Sequence, residues 1–188
     1  MRRRFVDGGE QSMSIPIQKC ETDEQWYRIS EFFVRHGNMM NPLLHPSSIL
    51  LEILTYKENG GVLYGEARGQ IVCALGYCIG TPDRQFDNPS DAFVGSVILL
   101  DQFRFGKLFY SGWKALIEEL NAAEVPVTHM HFHALKENEY LNRMYGRFAQ
   151  TTGEFRNEYG AHWSYVALFQ DFCRRLENIN ARTGGRAK

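Results

Sequence analysis

Three histidines, His129, His131 and His133, alternate with apolar residues in the second half of the chain. In a β-strand successive side chains point to opposite faces, so the three imidazoles would share one face, with Met130 and Phe132 on the other. A neutral imidazole accepts a proton near neutral pH, which makes this face a candidate for general-base chemistry. A polar, partly buried sheet face without a catalytic role is the alternative interpretation.

Clustered histidines also raise the question of a metal site. Histidines two residues apart on a strand lie roughly 6.5–7 Å from each other, so two of them could share an ion. Three on one strand cannot readily close a compact tetrahedral site, and no carboxylate or cysteine stands at ligand spacing. The cysteines, which are Cys20, Cys73, Cys78 and Cys173, form no C-x-x-C pair. That spacing is typical of reduced thiols, and the sequence predicts no metal site.

A candidate anion site lies between a predicted central strand and the helix that follows it. The segment consists of Arg104, Phe105, Gly106, Lys107, Leu108 and Phe109. Glycine lets backbone N–H groups close on a phosphate at a helix N-terminus, where the helix dipole adds a favourable potential. The side chains of Lys107 and Phe109 narrow that approach, whereas Arg104 and Lys107 add positive charge.

Apolar residues at helical spacing predict the helices that would position these side chains. Thr22 and Gln25 form a capping-box signature ahead of a helix that ends near Gly37. Pro46 begins a second helix, which the glycines at 60 and 61 end. Two later helices carry broad apolar stripes, one over residues 107–123 and one with apolar residues at 141, 144, 145 and 148.

Alternating or continuous apolar segments predict strands over residues 14–20, 62–67, 70–79, 91–100, 127–134 and 164–169. The second and third flank Arg68-Gly69, a two-residue gap that suits a tight hairpin, with Glu66 near the turn. Glu66 is a candidate base, or simply an exposed hairpin carboxylate. The order β-α-α-β-β-β-α-β-α-β, with one optional further strand, predicts an α/β (α+β) fold whose mixed sheet has helices on both faces.

Length and composition bound the class of protein. The chain has 188 residues, 44% of them hydrophobic and 23% charged, which predicts one globular domain over residues 14–172. Residues 1–13 are expected to form a flexible extension and residues 173–188 a frayed tail. The net charge of −1 favours neither a nucleic-acid nor a membrane partner. No apolar run approaches the roughly 20 residues that cross a bilayer, so a cytoplasmic protein is predicted.

One short segment carries a family resemblance. It begins at Asn138 and continues through Leu141, Met144 and Tyr145 to Arg147. It is similar to the N-x-x-A-x-x-L-Y-x-K segment of the GNAT superfamily of acyl-CoA-dependent N-acyltransferases, with these five residues at the named positions in that order. The predicted order of elements resembles the same superfamily over most of the chain.

The resemblance implies a fold and a mode of binding an acyl-CoA, with no metal. The central sheet would have six or seven strands, and the strands at residues 91–100 and 127–134 would splay apart around the pantetheine arm. The residues implied to bind the cosubstrate are Val97, Ile98, Leu99, Leu100, Arg104, Phe105, Gly106, Lys107, Leu108, Phe109, Asn138 and Tyr145. Backbone N–H groups of the central strand would polarise the thioester carbonyl.

The reaction implied by the resemblance is N-acyl transfer, in the simplest case from acetyl-CoA to a primary amine, by direct attack in a ternary complex. Tyr145 would protonate the departing thiolate, and His131, His133 or Glu66 would take a proton from the amine. The acceptor would be a small-molecule or peptide amine. The final strands could also pair across two chains in a homodimer.

Two alternatives keep the fold and change the function. The family's pyrophosphate-loop motif, Q/R-x-x-G-x-G/A, is degenerate here: Arg104 matches it, but Lys107 and Phe109 stand where the family has small residues. This departure leaves room for an acyl-carrier protein as donor, which a basic rim of Arg104, Lys107, Arg143 and Arg147 would attract. The chain could instead be a non-catalytic acyl-CoA-binding or regulatory module, because a fold alone does not establish activity.

Overall fold

A computed structural model describes residues 15–103 and 107–184 of the chain. Several residues named above lie outside these ranges. They are the predicted extension at residues 1–13, the loop residues Arg104, Phe105 and Gly106, and residues 185–188 of the predicted tail.

Within the described residues, the helices and strands follow the predicted order, with one strand added ahead of the last predicted strand and one helix added after it. They are β1 (Ile17–Lys19), α1 (Asp23–His36), α2 (Pro46–Asn59), β2 (Gly60–Ala67), β3 (Gln70–Ile79), β4 (Asp91–Leu99), α3 (Lys107–Asn121), β5 (His129–Leu135), α4 (Glu139–Tyr145), β6 (Gln150–Asn157), β7 (Gly160–Leu168) and α5 (Phe169–Gly184). The strands form one sheet in the order β1-β2-β3-β4-β5-β7-β6. Among these strands of the described residues, β4 and β5 alone pair in parallel, so the mixed sheet is confirmed.

Local signals in the sequence define several of these boundaries. The Thr22 hydroxyl accepts from the Gln25 backbone N–H, and the Gln25 side chain accepts from the Thr22 backbone N–H, so the capping box is confirmed. Pro46 opens α2, where its fixed φ suits the first helical turn. Arg68 and Gly69 both have positive φ, as a two-residue hairpin turn between β2 and β3 requires.

Helices cover both faces of the sheet, as predicted. Helices α3 and α5 bury one face in a cluster that contains Trp113, Phe132 and Phe172. Helices α1 and α2 bury the other face, where Phe33 and Tyr56 are almost completely enclosed. In the described ranges, no helix combines the length and the apolar character needed to cross a membrane.

The ring of Tyr56 fits into the sheet because two strand residues lack a side chain. A Cβ at Gly76 of β3 would lie 2.3 Å from the Tyr56 ring, and a Cβ at Gly95 of β4 would lie 2.2 Å from its hydroxyl oxygen. At the same place the register between β3 and β4 shifts, so Gly76 alone stands opposite Gly95 and Ser96. Such a bulge bends a strand, and here it occurs where β4 begins to leave β5.

Gly76→Ala should therefore destabilise the protein. We expect a loss of about 1–3 kcal/mol in the free energy of unfolding, because the enclosed Tyr56 ring cannot move away from an added methyl group. Urea denaturation followed by circular dichroism measures the change. Gly112→Ala is the control: that position in α3 has no atom within 4 Å of an added Cβ. It should stabilise the protein by up to about 1 kcal/mol through helix propensity. Equal stabilities for the two variants would contradict this packing argument.

The C-terminal quarter departs from the sequence prediction in two places. The tail predicted to fray from residue 173 is helical through Gly184 as part of α5, and Phe172 anchors that helix in the core. The optional further strand has no residues assigned to it, and no sequence pattern predicts the strand β6 over Gln150–Asn157. It is an exposed edge strand with one partly buried residue, Phe155, so its sequence lacks the alternation that marks a half-buried strand.

Candidate active site

The strands β4 and β5 separate after a short parallel ladder. Their pairing begins at Asp91 and His129 and ends at Val94 and Phe132, although both strands continue beyond that point. A cleft of about 470 Å³ opens between the separated ends. This volume is within the usual range for sites that bind small molecules or cofactors. The predicted splay of the two central strands is confirmed.

The lining of the cleft contains many of the residues that the sequence assigned to the cosubstrate. It is lined by Val97, Ile98, Leu99, Phe109, Asn138 and Tyr145. Three other assigned residues are not part of the lining. Leu100 packs into the core beyond the end of β4, Leu108 is buried near Val72 and Cys73, and Lys107 is exposed at the start of α3. The helical period turns these α3 side chains away from the cleft, whereas Phe109 faces it.

Helix α4 brings Asn138 and Tyr145 to the same cleft. Asn138 is the N-cap of this helix, and its side-chain oxygen accepts from the Leu141 backbone N–H over 3.1 Å. Tyr145 is 3% exposed, and its ring packs against Phe132 and Tyr165. Burial raises the pKa of its phenol, so the hydroxyl keeps its proton at neutral pH.

The hydroxyl of Tyr145 has no hydrogen-bond partner among the described residues. No buried side-chain nitrogen or oxygen in those ranges is left without a partner, so this hydroxyl must keep contact with the open cleft. A neutral hydroxyl that opens on a cleft is able to donate a proton or a hydrogen bond to whatever binds there.

The two histidines predicted as candidate bases occupy different environments. His133 lines the cleft between the rings of Phe93 and Phe155, at centroid distances of 4.9 and 4.7 Å. Burial lowers the pKa of its imidazole to about 4, so the ring is neutral at physiological pH. His131 instead lies where β4 and β5 still pair. Its Nε2 is 3.1 Å from Asp91 Oδ2, and it is not part of the cleft lining.

The third predicted base, Glu66, is not brought to the cleft. It lies on β2, which is separated from β4 by the whole width of β3, and pairs with Arg28 at 3.0 Å. Glu66 therefore fits the alternative interpretation, in which it is a hairpin carboxylate at the surface. Across the described residues, no group of three or more histidine, cysteine, aspartate or glutamate side chains is arranged to hold a metal ion.

A different carboxylate, Glu52 of α2, lines the cleft. The Tyr56 hydroxyl donates to Glu52 Oε1 over 2.7 Å and also lies 2.9 Å from Ser96 Oγ at the bulge in β4. Burial raises the pKa of the Glu52 carboxyl, and hydrogen bonds from its neighbours offset only part of that effect. The sequence held one signal for it: Glu52 interrupts the buried stripe of Ile49, Ile53 and Tyr56, where a charged residue is unusual.

Part of the cleft lining is rich in aromatic rings that contact one another, and we call this part the aromatic compartment. It consists of Glu52, Phe93, His133, Phe155, Tyr159 and His162. Tyr159, in the turn between β6 and β7, closes it on one side. The Asn41 side-chain N–H donates to the Tyr159 carbonyl over 2.8 Å, and Ser48 Oγ lies 2.6 Å from the Tyr159 hydroxyl. These bonds tie the α1–α2 region to the β6–β7 hairpin.

A second cleft, of about 750 Å³, adjoins the first at Phe109, which lines both. It lies among α3, α4 and α5, and its walls carry three arginines, Arg143, Arg147 and Arg175. The Arg175 guanidinium donates to the Arg147 carbonyl, which joins α5 to the end of α4. Together the two clefts give a path from the splayed strands to a basic surface.

Comparison with known proteins gives a match in structure alone. No protein-family model matches this sequence, and no curated protein does. Diaminobutyrate acetyltransferase from Paenibacillus lautus, solved with its substrate and coenzyme A, superimposes with a TM-score of 0.62 at 16% identity, over 83% of this chain and 96% of that one. PaiA N-acetyltransferase from Thermoplasma acidophilum, solved with coenzyme A, gives 0.59 at 11% identity, over 83% and 99%.

A third solved structure carries the family name. It is an acetyltransferase of the GNAT family from Streptococcus pneumoniae, with a TM-score of 0.56 and 12% identity over 82% of this chain and 99% of that one. The mixed sheet, the splayed β4 and β5 and these three structures agree, and the chain has the fold of the GNAT superfamily.

Proposed function

We propose that this protein is an N-acyltransferase that moves an acyl group, acetyl in the simplest case, from acyl-CoA to a primary amine in a ternary complex. The observation that carries the proposal is the cleft between β4 and β5, which contains a carboxylate and a neutral tyrosine hydroxyl that has no hydrogen-bond partner among the described residues. Tyr145 lines it from α4 and Glu52 from α2. A general acid and a general base are the two groups that amide formation from a thioester requires.

The pantetheine arm would lie in the slot between the splayed strands. Val97 and Leu99 line one side and Asn138 the other, and the two neighbours solved with coenzyme A support this role for the fold. Asn138 already caps α4 with its side-chain oxygen, so its amide N–H₂ group is left to contact the arm.

In the reaction, the ammonium group of the acceptor first loses one proton to Glu52, directly or through water. The amine nitrogen then attacks the thioester carbonyl, forming the C–N bond, and the C–S bond breaks. Tyr145 gives its proton to the leaving thiolate and regains one from the nitrogen, through water. The products are an amide, free CoA thiol and one proton released to solvent.

Thiol release tests the proposal directly. The protein is mixed with acetyl-CoA and a panel of primary amines, and free thiol is titrated over time. We expect release that depends on both protein and amine. Release at the rate of the protein-free mixture, with every acyl chain and every amine, would contradict acyl transfer.

We propose that the three arginines of the second cleft bind the phosphates of CoA, because they give its walls positive charge. Replacing both Arg143 and Arg147 by glutamine should raise the KM for acetyl-CoA roughly tenfold or more, because a charge-assisted hydrogen bond contributes ~1.5–3 kcal/mol. The kcat should stay nearly the same, since these contacts are made equally in the ground and transition states. Steady-state thiol release measures both constants.

Arg174→Gln provides the matched control for this double variant. Arg174 is exposed on the same helix as Arg175, pairs with Asp171 and does not line the second cleft. Its replacement should leave the KM for acetyl-CoA unchanged. If the double variant and the control have the same KM for acetyl-CoA, the phosphates of CoA bind elsewhere.

An acyl-carrier protein is the second candidate donor. Phe109 lines both clefts, at a position where the family's pyrophosphate-loop motif has a small residue, and the arginines line the second cleft beside it. Calorimetry separates the donors. Tight binding of free CoA supports acyl-CoA as the donor. If the protein does not bind CoA but accepts an acyl group from a loaded carrier protein, the carrier protein is the donor.

A further inference from the structure

The aromatic compartment differs in charge from the basic second cleft. Glu52 supplies its carboxylate, and no lysine or arginine of the described residues lines the cleft of which the compartment is part. The two imidazoles in its walls are neutral at physiological pH, because burial lowers the pKa of both His133 and His162. The compartment therefore offers a cation one negative partner and offers an anion none.

The walls of the compartment are flat and mostly apolar. The rings of Phe155 and His162 stack with centroids 5.0 Å apart at an angle of 6°, and His133 meets Phe155 edge-on. Phe93 adds a further ring on the side of the splayed strands. Contact between such walls and an apolar or aromatic body is favourable. Desolvation of a charged group there without a partner is unfavourable.

We propose that the acceptor is a primary amine on an aromatic or aliphatic body that carries no acidic group beside the amine. Its ammonium group contacts Glu52, and its body lies against Phe93, Phe155 and His162. A free amino acid would bring its carboxylate next to Glu52, where no cationic side chain of the described residues can pair with it. This inference names the acceptor class of the proposed acyl transfer and rests on it.

Matched pairs of amines test the acceptor class on the wild-type protein. The pairs are 2-phenylethylamine with phenylalanine and tryptamine with tryptophan, which differ only in the carboxylate. Thiol release from acetyl-CoA should give kcat/KM values at least ~100-fold higher for the amine of each pair, because a juxtaposed like charge costs several kcal/mol. Equal values within a pair would overturn the acceptor class while leaving acyl transfer established. If none of the amines gives thiol release above the rate of the protein-free mixture, both the acceptor class and the proposed acyl transfer are overturned.

A charge introduced into the lining tests the same cause independently. Met39 lines the cleft from the α1–α2 connection, and lysine matches its unbranched shape. Met39→Lys should narrow the difference between 2-phenylethylamine and phenylalanine by tenfold or more, since the new ammonium group pairs with the carboxylate. A thermal melt shows that the variant is folded. An unchanged ratio in a folded variant would contradict the charge argument.

Discussion

Tyr145→Phe should lower kcat for acetyl transfer by ~10²–10⁴-fold, the usual contribution of a general acid. The KM for acetyl-CoA should change little, because the ring that packs against Phe132 and Tyr165 is retained. The stability should also change little, since the Tyr145 hydroxyl makes no hydrogen bond with the described residues that the substitution could remove. Steady-state thiol release and a thermal melt measure the two effects separately.

Tyr165→Phe is the matched control for this substitution. The ring centroids of Tyr165 and Tyr145 are 5.6 Å apart, but the Tyr165 hydroxyl donates to Asn142 Oδ1 and does not line the cleft. Asn142 keeps its bonds to the carbonyls of Leu135 and Lys136, so α4 should stay in place. This variant should lose about 0.5–1.5 kcal/mol of stability and keep its activity. Thiol release by wild type and Tyr145→Phe that is equal, and no faster than in the protein-free mixture, would favour a non-catalytic binding module.

The sequence predicts those parts of the fold that local chemistry determines. Thr22 with Gln25, Pro46 and the Arg68-Gly69 turn each satisfy a backbone requirement within a few residues, so the pattern is visible without tertiary contacts. The splay of β4 and β5 came from the family resemblance. The structure adds its local cause, which is the bulge that places two residues of β4 opposite Gly76.

The candidate site is less predictable because it depends on which faces meet. Alternation places His131 and His133 on one face, but only the point at which β4 leaves β5 decides that His133 alone lines the cleft. Glu66 and Glu52 are both carboxylates on regular elements. Glu66 does not reach the cleft because β2 is separated from β4 in the sheet. Glu52 does reach it because α2 packs against the bulge in β4.

The packing around Tyr56 links the fold to this site. Gly76 and Gly95 leave space for its ring, and the ring in turn holds its hydroxyl against Glu52 and Ser96. The bulge that separates the strands therefore also orients the carboxylate. A change that moves Tyr56 should alter both the opening for the donor and the position of the base.

Glu52→Gln should reduce kcat/KM for the amine by ~10²–10⁴-fold, because the amide cannot accept the proton of the ammonium group. The pH profile should change as well. Since burial raises the pKa of Glu52, wild-type activity should fall with decreasing pH at a value above the usual carboxyl range, and this acid limb should disappear in the variant. Thiol release measured across the acidic range with a saturating donor gives both results.

The stability of the same variant separates a catalytic role from a structural one. A carboxyl whose pKa is raised by folding binds its proton more tightly in the folded state, so ionisation above the unfolded pKa destabilises the fold. The amide of Glu52→Gln can still accept from the Tyr56 hydroxyl and avoids that cost. The variant should therefore melt at the same or a higher temperature at neutral pH, with a difference that shrinks as wild-type Glu52 becomes protonated.

Glu58→Gln, on the exposed side of the same helix and outside the cleft lining, should change neither the rate nor the pH profile. A Glu52→Gln variant that loses activity and keeps its stability would show that the charge of Glu52 serves the reaction and not the fold. A Glu52→Gln variant that is fully active but melts at a markedly lower temperature would contradict the catalytic role. Glu52 would then be a structural partner of Tyr56, and the proton of the amine would have to go to another acceptor in the cleft.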